Sequence, residues 1–189
     1  MATIVEFRAA AATIDGLVVV TMRQVSDERG TVRELFRASA FETAGVPLDD
    51  FRQINVTETR AGAVRGIHAE AMTKLVAVVA GEALGAYVDL RGGSSTAGAV
   101  VTVRLVPGTQ VLVPSGVGNG FQAVVDGTQY AYCFDREWQP GMAGTACSPL
   151  DPALGIVWPV TIDPDDPAQV SAKDVAAPSL AEVLGGGRG

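Results

Sequence analysis

Residues 99–134 read AVVTVRLVPGTQVLVPSGVGNGFQAVVDGTQYAYCF. Within this stretch AVVTVRLV (99–106), TQVLVPSG (109–116), FQAVV and TQYAYCF are short valine-rich runs, each cut off by Pro, Gly, Ser or Asp. β-Branched and aromatic side chains suit a pleated, half-buried surface. Turn residues recurring at roughly 8 to 12 residue intervals are the pattern of an all-β sandwich or barrel. Asp126-Gly127, with an apolar run on either side, predicts a hairpin at that point.

The same punctuation extends upstream through LVVVTMRQV (17–25), FRQINVTET (51–59), KLVAVVAG (74–81) and ALGAYVDLR (83–91). Helix is the minor element. One is expected near Val32 to Ala44, and a short one is opened by Ser179 with Glu182 three residues on, the capping-box spacing. Neither is long enough to build an α/β layer. The expected fold is all-β: an antiparallel jelly-roll barrel with a few short helices. Phe121, Val111, Val113 and Val78 should be among its inward residues, because alternating strands must bury one face. With 189 residues, 48% of them apolar, the chain can bury one sizeable core, and a single domain over 1–189 is expected. No repeat of fixed period occurs, and the glycine-rich tail 185–189 reads as frayed.

Fourteen Lys and Arg stand against twenty-one Asp and Glu, a formal charge of −7. Such a chain has no general basic field for nucleic acid or an anionic membrane, so an anionic ligand must be caught by a few placed cations. MATIVEFRAA lacks the basic head and apolar run of a signal peptide, and no apolar stretch approaches membrane-spanning length. A soluble cytoplasmic protein is expected. Cys133 and Cys147 fit neither a disulfide framework nor a zinc-ligand pair and read as small reduced core residues.

The one histidine, His68, lies in Arg65-Gly66-Ile67-His68, which sets a cationic and a titratable side chain close together. Metal sites of β-barrel oxygenases and isomerases need two or more histidines with a carboxylate. A chain with one His is poorly equipped to hold iron, manganese or zinc, so no metal and no cofactor are expected.

Asp27-Glu28-Arg29-Gly30, Arg65-Gly66-Ile67-His68, Lys74-Leu75-Val76, Val88-Asp89-Leu90-Arg91, Val113-Pro114-Ser115-Gly116, Asn119-Gly120-Phe121, the run Asp151 to Pro159, and Lys173-Asp174 ahead of Pro178 follow one another in a particular order. In that ordered set the chain resembles the dTDP-4-dehydrorhamnose 3,5-epimerases, members of the cupin superfamily, from about residue 15 to 183. No single motif is decisive; their order is.

The resemblance implies a cupin-type barrel and an enzyme that deprotonates a dTDP-linked 4-keto-6-deoxy sugar at C3 and C5 and reprotonates it from the opposite face. Such chemistry needs a base of near-neutral pKa, an acid across the ring, and a donor where the enolate oxygen forms. By the resemblance His68 is the base, Asp174 the carboxylate that orients it, Tyr132 the proton donor, and Lys74 the cation beside the enolate oxygen. Arg29 and Arg65 match diphosphate contacts and Lys173 a further phosphate-side contact, which suits planar guanidinium forks. Glu34, Gln53 and Asn55 match positions that bind nucleotide or sugar, and Trp138 stands where an aromatic stacks on thymine. A homodimer is also implied, in which an N-terminal strand of one subunit extends the other's sheet and covers an exposed edge.

The chain departs from the family pattern in three places. Asn119 replaces the usual histidine of a loop that fixes substrate; an amide can donate and accept hydrogen bonds but carries no proton or charge. The stretch from His68 to Lys74 is short, and Gly85 occupies a place where aspartate is common. These changes leave open an enzyme that inverts C3 only or takes another nucleotide sugar, and, from a different class, a catalytically silent sugar-nucleotide-binding cupin.

Overall fold

Val111, Val113, Phe121 and Val78 are all fully buried, Phe121 on one wall of a barrel and the three valines on the wall across its interior. The computed structural model describes residues 2–46, 48 and 50–186. The chain opens with β1 (Thr3–Val5), β2 (Arg8–Ala11), β3 (Val18–Thr21), β4 (Gln24–Asp27), β5 (Gly30–Arg33) and helix α1 (Ala38–Thr43). It continues through β6 (Gln53–Thr59), β7 (Val64–Glu70), β8 (Lys74–Ala80), β9 (Ala83–Asp89), β10 (Val100–Leu105), β11 (Thr109–Val113), β12 (Val117–Ala123), β13 (Thr128–Phe134) and β14 (Gly144–Ala146). A 3-10 turn (Pro152–Leu154) and helices α2 (Ala172–Val175) and α3 (Leu180–Gly185) complete it.

Two antiparallel sheets form the barrel, in the orders β2-β3-β11-β8-β13-β6 and β10-β9-β12-β7-β14. A third, β1-β4-β5, is a small sheet of its own. The core between the two large sheets joins Val76, Val78, Val111, Val113 and Tyr130 of the first to Tyr87, Leu105, Val117, Phe121 and Ala123 of the second. Because successive side chains on a strand point to opposite faces, this apolar set fixes which residues look inward farther along the same strands. On β12 the inward row is Val117, Asn119, Phe121 and Ala123; on β13 it is Thr128, Tyr130, Tyr132 and Phe134; on β8 it starts at Lys74. Toward one mouth the inward row therefore changes from apolar to polar.

Several local expectations are corrected. Asp126-Gly127 is a turn, but the strands it joins do not pair: β12 bonds to β7 and β9, and β13 bonds to β6 and β8. The turn carries the chain from one sheet to the other, and a local signal cannot tell that from a hairpin. The helix expected over Val32 to Ala44 is confined to Ala38–Thr43, because Val32 is taken by β5 in register with Val25. The run 17–25 breaks at Met22, where β3 ends and β4 leaves for the small sheet. Asn119-Gly120-Phe121 lies in the middle of β12 rather than in a loop.

The capping box is present: Ser179 accepts from the Glu182 amide and the Glu182 carboxylate accepts from the Ser179 amide, opening α3. Gly185 closes that helix, while residues 187–189 of the glycine-rich tail lie outside the described residues. Cys133 and Cys147 are unpaired and buried. No helix among the described residues is long and apolar enough to cross a membrane.

Candidate active site

His68 sits near the end of β7 with its side chain 36% exposed, and its Nε2 is 2.6 Å from Oδ1 of Asp174. Asp174 lies in α2, whose first turn is fixed by Ser171: the Ser171 Oγ accepts from the Asp174 amide at 3.1 Å. Burial by itself would raise the Asp174 carboxyl. The hydrogen bond and charge of His68 oppose this, with Ser171 and the Gly66 amide behind them, and hold the carboxyl below its ordinary value. The acid is therefore a carboxylate aimed at an imidazole, which fixes the ring.

Position 66 has to be glycine for β7 to reach this place. Its φ is +112°, and a Cβ there would lie 2.6 Å from Gly120 Cα and 2.7 Å from Asn119 O. The close approach brings His68 directly opposite Asn119 on β12.

Lys74 opens β8 and is 3% exposed, although a lysine there could equally have faced solvent. Its ammonium donates to the Glu70 carboxylate and, at 3.2 Å, to the His68 carbonyl oxygen. Glu70 lies two residues beyond His68 and so on the same face of β7, a relation that strand alternation alone would have revealed. It was not among the expected site residues.

Tyr132 comes from the sheet that carries Lys74, across from that of His68; it lies on β13, in register with Asn55 and Val76. Its ring stacks on Phe134, with centroids 5.7 Å apart, and tilts against Tyr130 at 4.8 Å. Burial raises its pKa above the ordinary tyrosine value, opposed by Arg65 and assisted by the negative Glu70. A phenol in that setting keeps its proton and can act as a donor.

These groups line one cavity of about 250 Å³: Arg65, His68 and Glu70 from β7, Lys74 from β8, Asn119 from β12, Tyr132 and Phe134 from β13, Asn55 and Thr57 from β6, and Trp138 at its rim. Trp138 is 49% exposed. Gln53 ties this rim together, donating to Asn55 Oδ1 at 3.0 Å and accepting from the Trp138 backbone amide at 2.8 Å. A second cavity of about 460 Å³ shares Arg65 and His68 with the first and is walled by Arg60, Gln169, Ser171, Lys173 and Asp174. Lys173 thus faces the far side of the His68–Asp174 pair. Arg65 is steadied by donating from Nε to Thr59 Oγ1 at 3.1 Å.

Two expected residues are not brought here. Arg29 is at the tip of the β4–β5 hairpin, its side chain 90% exposed and paired with Asp27 at 2.5 Å. Glu34 follows that hairpin and pairs with Arg37 and Arg23. Tyr130, which touches Asn119, was also outside the expected set, since its position reads as an ordinary inward strand tyrosine.

The polar mouth, with a His–Asp pair on one wall and a proton-bearing tyrosine on another, agrees with what comparison with known proteins finds. A family model described as dTDP-4-dehydrorhamnose 3,5-epimerase matches residues 11–182. A dTDP-4-dehydrorhamnose 3,5-epimerase of Streptomyces griseus is 32% identical over 176 residues, 90% of this chain and 86% of that protein. A dTDP-4-dehydro-6-deoxyglucose 3-epimerase of a Streptomyces species is 36% identical over 165 residues, 82% of this chain and 80% of that protein. Among solved structures, NovW, a 4-keto-6-deoxy sugar epimerase from the novobiocin biosynthetic gene cluster of Streptomyces spheroides, superposes with a TM-score of 0.87 at 32% identity, covering 97% of this chain and 92% of that one. By sequence and by fold alike, this chain belongs to the dTDP-4-dehydrorhamnose 3,5-epimerase family.

Proposed function

We propose that this chain inverts C3 and C5 of a dTDP-linked 4-keto-6-deoxyhexose, for rhamnose or for a modified deoxysugar of a natural product. The observation that carries this reading is a single cavity with His68, backed by Asp174, on one sheet and Tyr132 on the other. His68 takes the proton from a carbon next to the ketone, and the C–H electron pair moves to form an enolate with its charge on the C4 oxygen. Lys74 offsets that charge, and Asp174 stabilises the imidazolium. Tyr132 gives its proton to the opposite face of the same carbon, and exchange with solvent resets both residues.

For the nucleotide, Arg65, which lines both cavities beside His68, and Lys173 of the second cavity hold the diphosphate, while the exposed face of Trp138 offers a stacking surface for thymine. Gln53 and Asn55 complete that wall. Arg29 and Glu34 are remote from this cavity within one chain. They serve the site of a second subunit, in a homodimer whose β1-β4-β5 arm lies along the partner's sheet. The enzyme works in the cytoplasm without metal or cofactor.

A narrower reading, inversion at C3 alone, is favoured by one observation: a relative 36% identical bears the name of a 3-epimerase. Incubation with dTDP-4-keto-6-deoxyglucose in deuterated water separates the cases. Deuterium at C3 and C5 supports the double epimerase and deuterium at C3 alone the single one. Absence of deuterium leaves a sugar-nucleotide-binding cupin.

A further inference from the structure

Asn119 and Tyr130 form a buried polar pair in the barrel interior, beside the hydroxyl of Tyr87. The Tyr130 hydroxyl donates to Asn119 Oδ1 at 3.1 Å. Tyr130 is fully buried, its ring stacked on Phe121 with centroids 4.0 Å apart and planes 6° from parallel. A phenol so enclosed is neutral at physiological pH, since burial raises its pKa well above the ordinary value, and it always has a proton to donate. An amide held by its oxygen has its two N–H donors turned the other way. Nδ2 of Asn119 has no protein partner among the described residues and is not a sealed, orphaned atom, and the residue lines the His68 cavity. Tyr87 stands opposite Asn119 on β9, but its hydroxyl lies beside that of Tyr130 and makes no hydrogen bond to Asn119, so Tyr130 alone holds the amide.

We infer that Tyr130 is a positioning residue: it locks the Asn119 amide with its oxygen toward the core, so that the nitrogen donates into the cavity beside His68, to the ketone oxygen of the substrate. The acceptor follows from where Asn119 stands. Residues directly opposite on antiparallel strands have Cβ atoms about 4.5–5.5 Å apart, and Asn119 is opposite His68. A base that removes a proton from a carbon next to a carbonyl has that carbonyl oxygen two bonds from the reacting carbon. A donor one strand over is within reach of it, and the charge that appears on that oxygen strengthens the hydrogen bond as the proton leaves. Without Tyr130 the amide can turn over and present its oxygen, which repels the developing enolate. In this way an uncharged asparagine becomes a directional donor, and Lys74, already paired with Glu70, does not carry the enolate alone. The assignment of the ketone rests on the epimerase reading; the orientation of the amide does not.

The test is a double-mutant cycle read as deuterium incorporation at C3 of dTDP-4-keto-6-deoxyglucose. Tyr130→Phe keeps the ring on Phe121 and removes only the hydroxyl. It should lower kcat by about 3- to 10-fold with KM little changed, the worth of one hydrogen bond, and Asn119→Ala should lower kcat by about 10²-fold. In the Asn119→Ala background Tyr130→Phe should cost nothing more. Equal losses in both backgrounds would mean that Tyr130 merely supports the fold, and an unchanged kcat for the single variant would equally overturn the inference. A second readout needs no turnover: the ¹⁵N side-chain amide signals of Asn119, assigned by their disappearance in Asn119→Ala, should shift and broaden in ligand-free Tyr130→Phe. Unchanged signals refute the contact. Wild-type protein that exchanges no deuterium refutes the epimerase reading and the ketone as acceptor, and the amide signals then decide the orientation by themselves.

Discussion

His68 and Tyr132 line the same cavity from different sheets, His68 on β7 and Tyr132 on β13. A base and an acid placed on separate walls can serve opposite faces of one ring. His68→Ala should abolish both exchange and epimerisation. Tyr132→Phe should still wash deuterium into C3 while product formation falls by about 10²- to 10⁴-fold, the usual loss for a general acid. Mass spectrometry of recovered substrate beside a product assay checks this, and Tyr132→Phe epimerising at the wild-type rate would contradict it.

Asp174→Asn keeps the imidazole but removes the charge that orients it, so activity should fall to a level between wild type and His68→Ala. The same change alters the pH dependence of stability. The folded carboxyl of Asp174 titrates below its unfolded value. Its contribution is therefore fully present above about pH 4, the ordinary aspartate value, and is lost as the pH falls through the lowered folded one. In urea titrations the gap between wild type and Asp174→Asn should narrow as the pH drops below about 4. A gap that does not narrow there would speak against the pairing.

Glu70 and Lys74 are coupled by one ion pair, and the lysine is the more deeply enclosed of the two. Glu70→Gln leaves an enclosed ammonium without its anion and should destabilise the protein by about 1–3 kcal/mol. Lys74→Met removes the buried charge itself and should cost less stability, while turnover drops as enolate stabilisation is lost. Chemical denaturation and kcat on the same pair of variants test the contrast. It fails if Lys74→Met is the less stable variant or is fully active.

Gly66→Ala should be among the most damaging small substitutions in the chain. The added Cβ meets Gly120 Cα and the Asn119 carbonyl oxygen, both backbone atoms, at a φ of +112°. Neither can yield cheaply, and a loss above about 2 kcal/mol with nearly all activity is expected. A variant with wild-type melting temperature would show that β7 and β12 can separate without harm.

Val32 of the hairpin arm and Ile54 and Val56 of the edge strand β6 are 72%, 62% and 57% exposed. Apolar side chains on an open edge and on a detached arm are suited to cover one another in two copies of the chain. Light scattering should give twice the monomer mass, and Val56→Asp should shift the population toward monomer. A wild-type monomer at micromolar concentration would rule the dimer out.

The inward faces of the strands were legible residue by residue. Val78, Val111, Val113 and Phe121 lie in the core, as two-residue alternation requires. The resemblance also marked His68, Lys74, Asn119, Tyr132 and Asp174, and the fold gathers the other four around His68. Alternation, turn chemistry and capping are local, and a reader of one chain can see them. Which strand pairs with which is not local: Asp126-Gly127 looks like a hairpin, yet it crosses between sheets. That crossing sets Tyr132 on a different wall from Asn119. Asp174 reaches His68 over 106 residues, and Gly66 lets β7 come close enough to β12 to set Asn119 beside the base. Glu70 against Lys74, and Tyr130 against Asn119, likewise depended on closure of the barrel. Side-chain period is a property of one strand, whereas burial, pairing and hydrogen-bond partners belong to the packed whole, where long-range contacts decide between local alternatives of nearly equal energy.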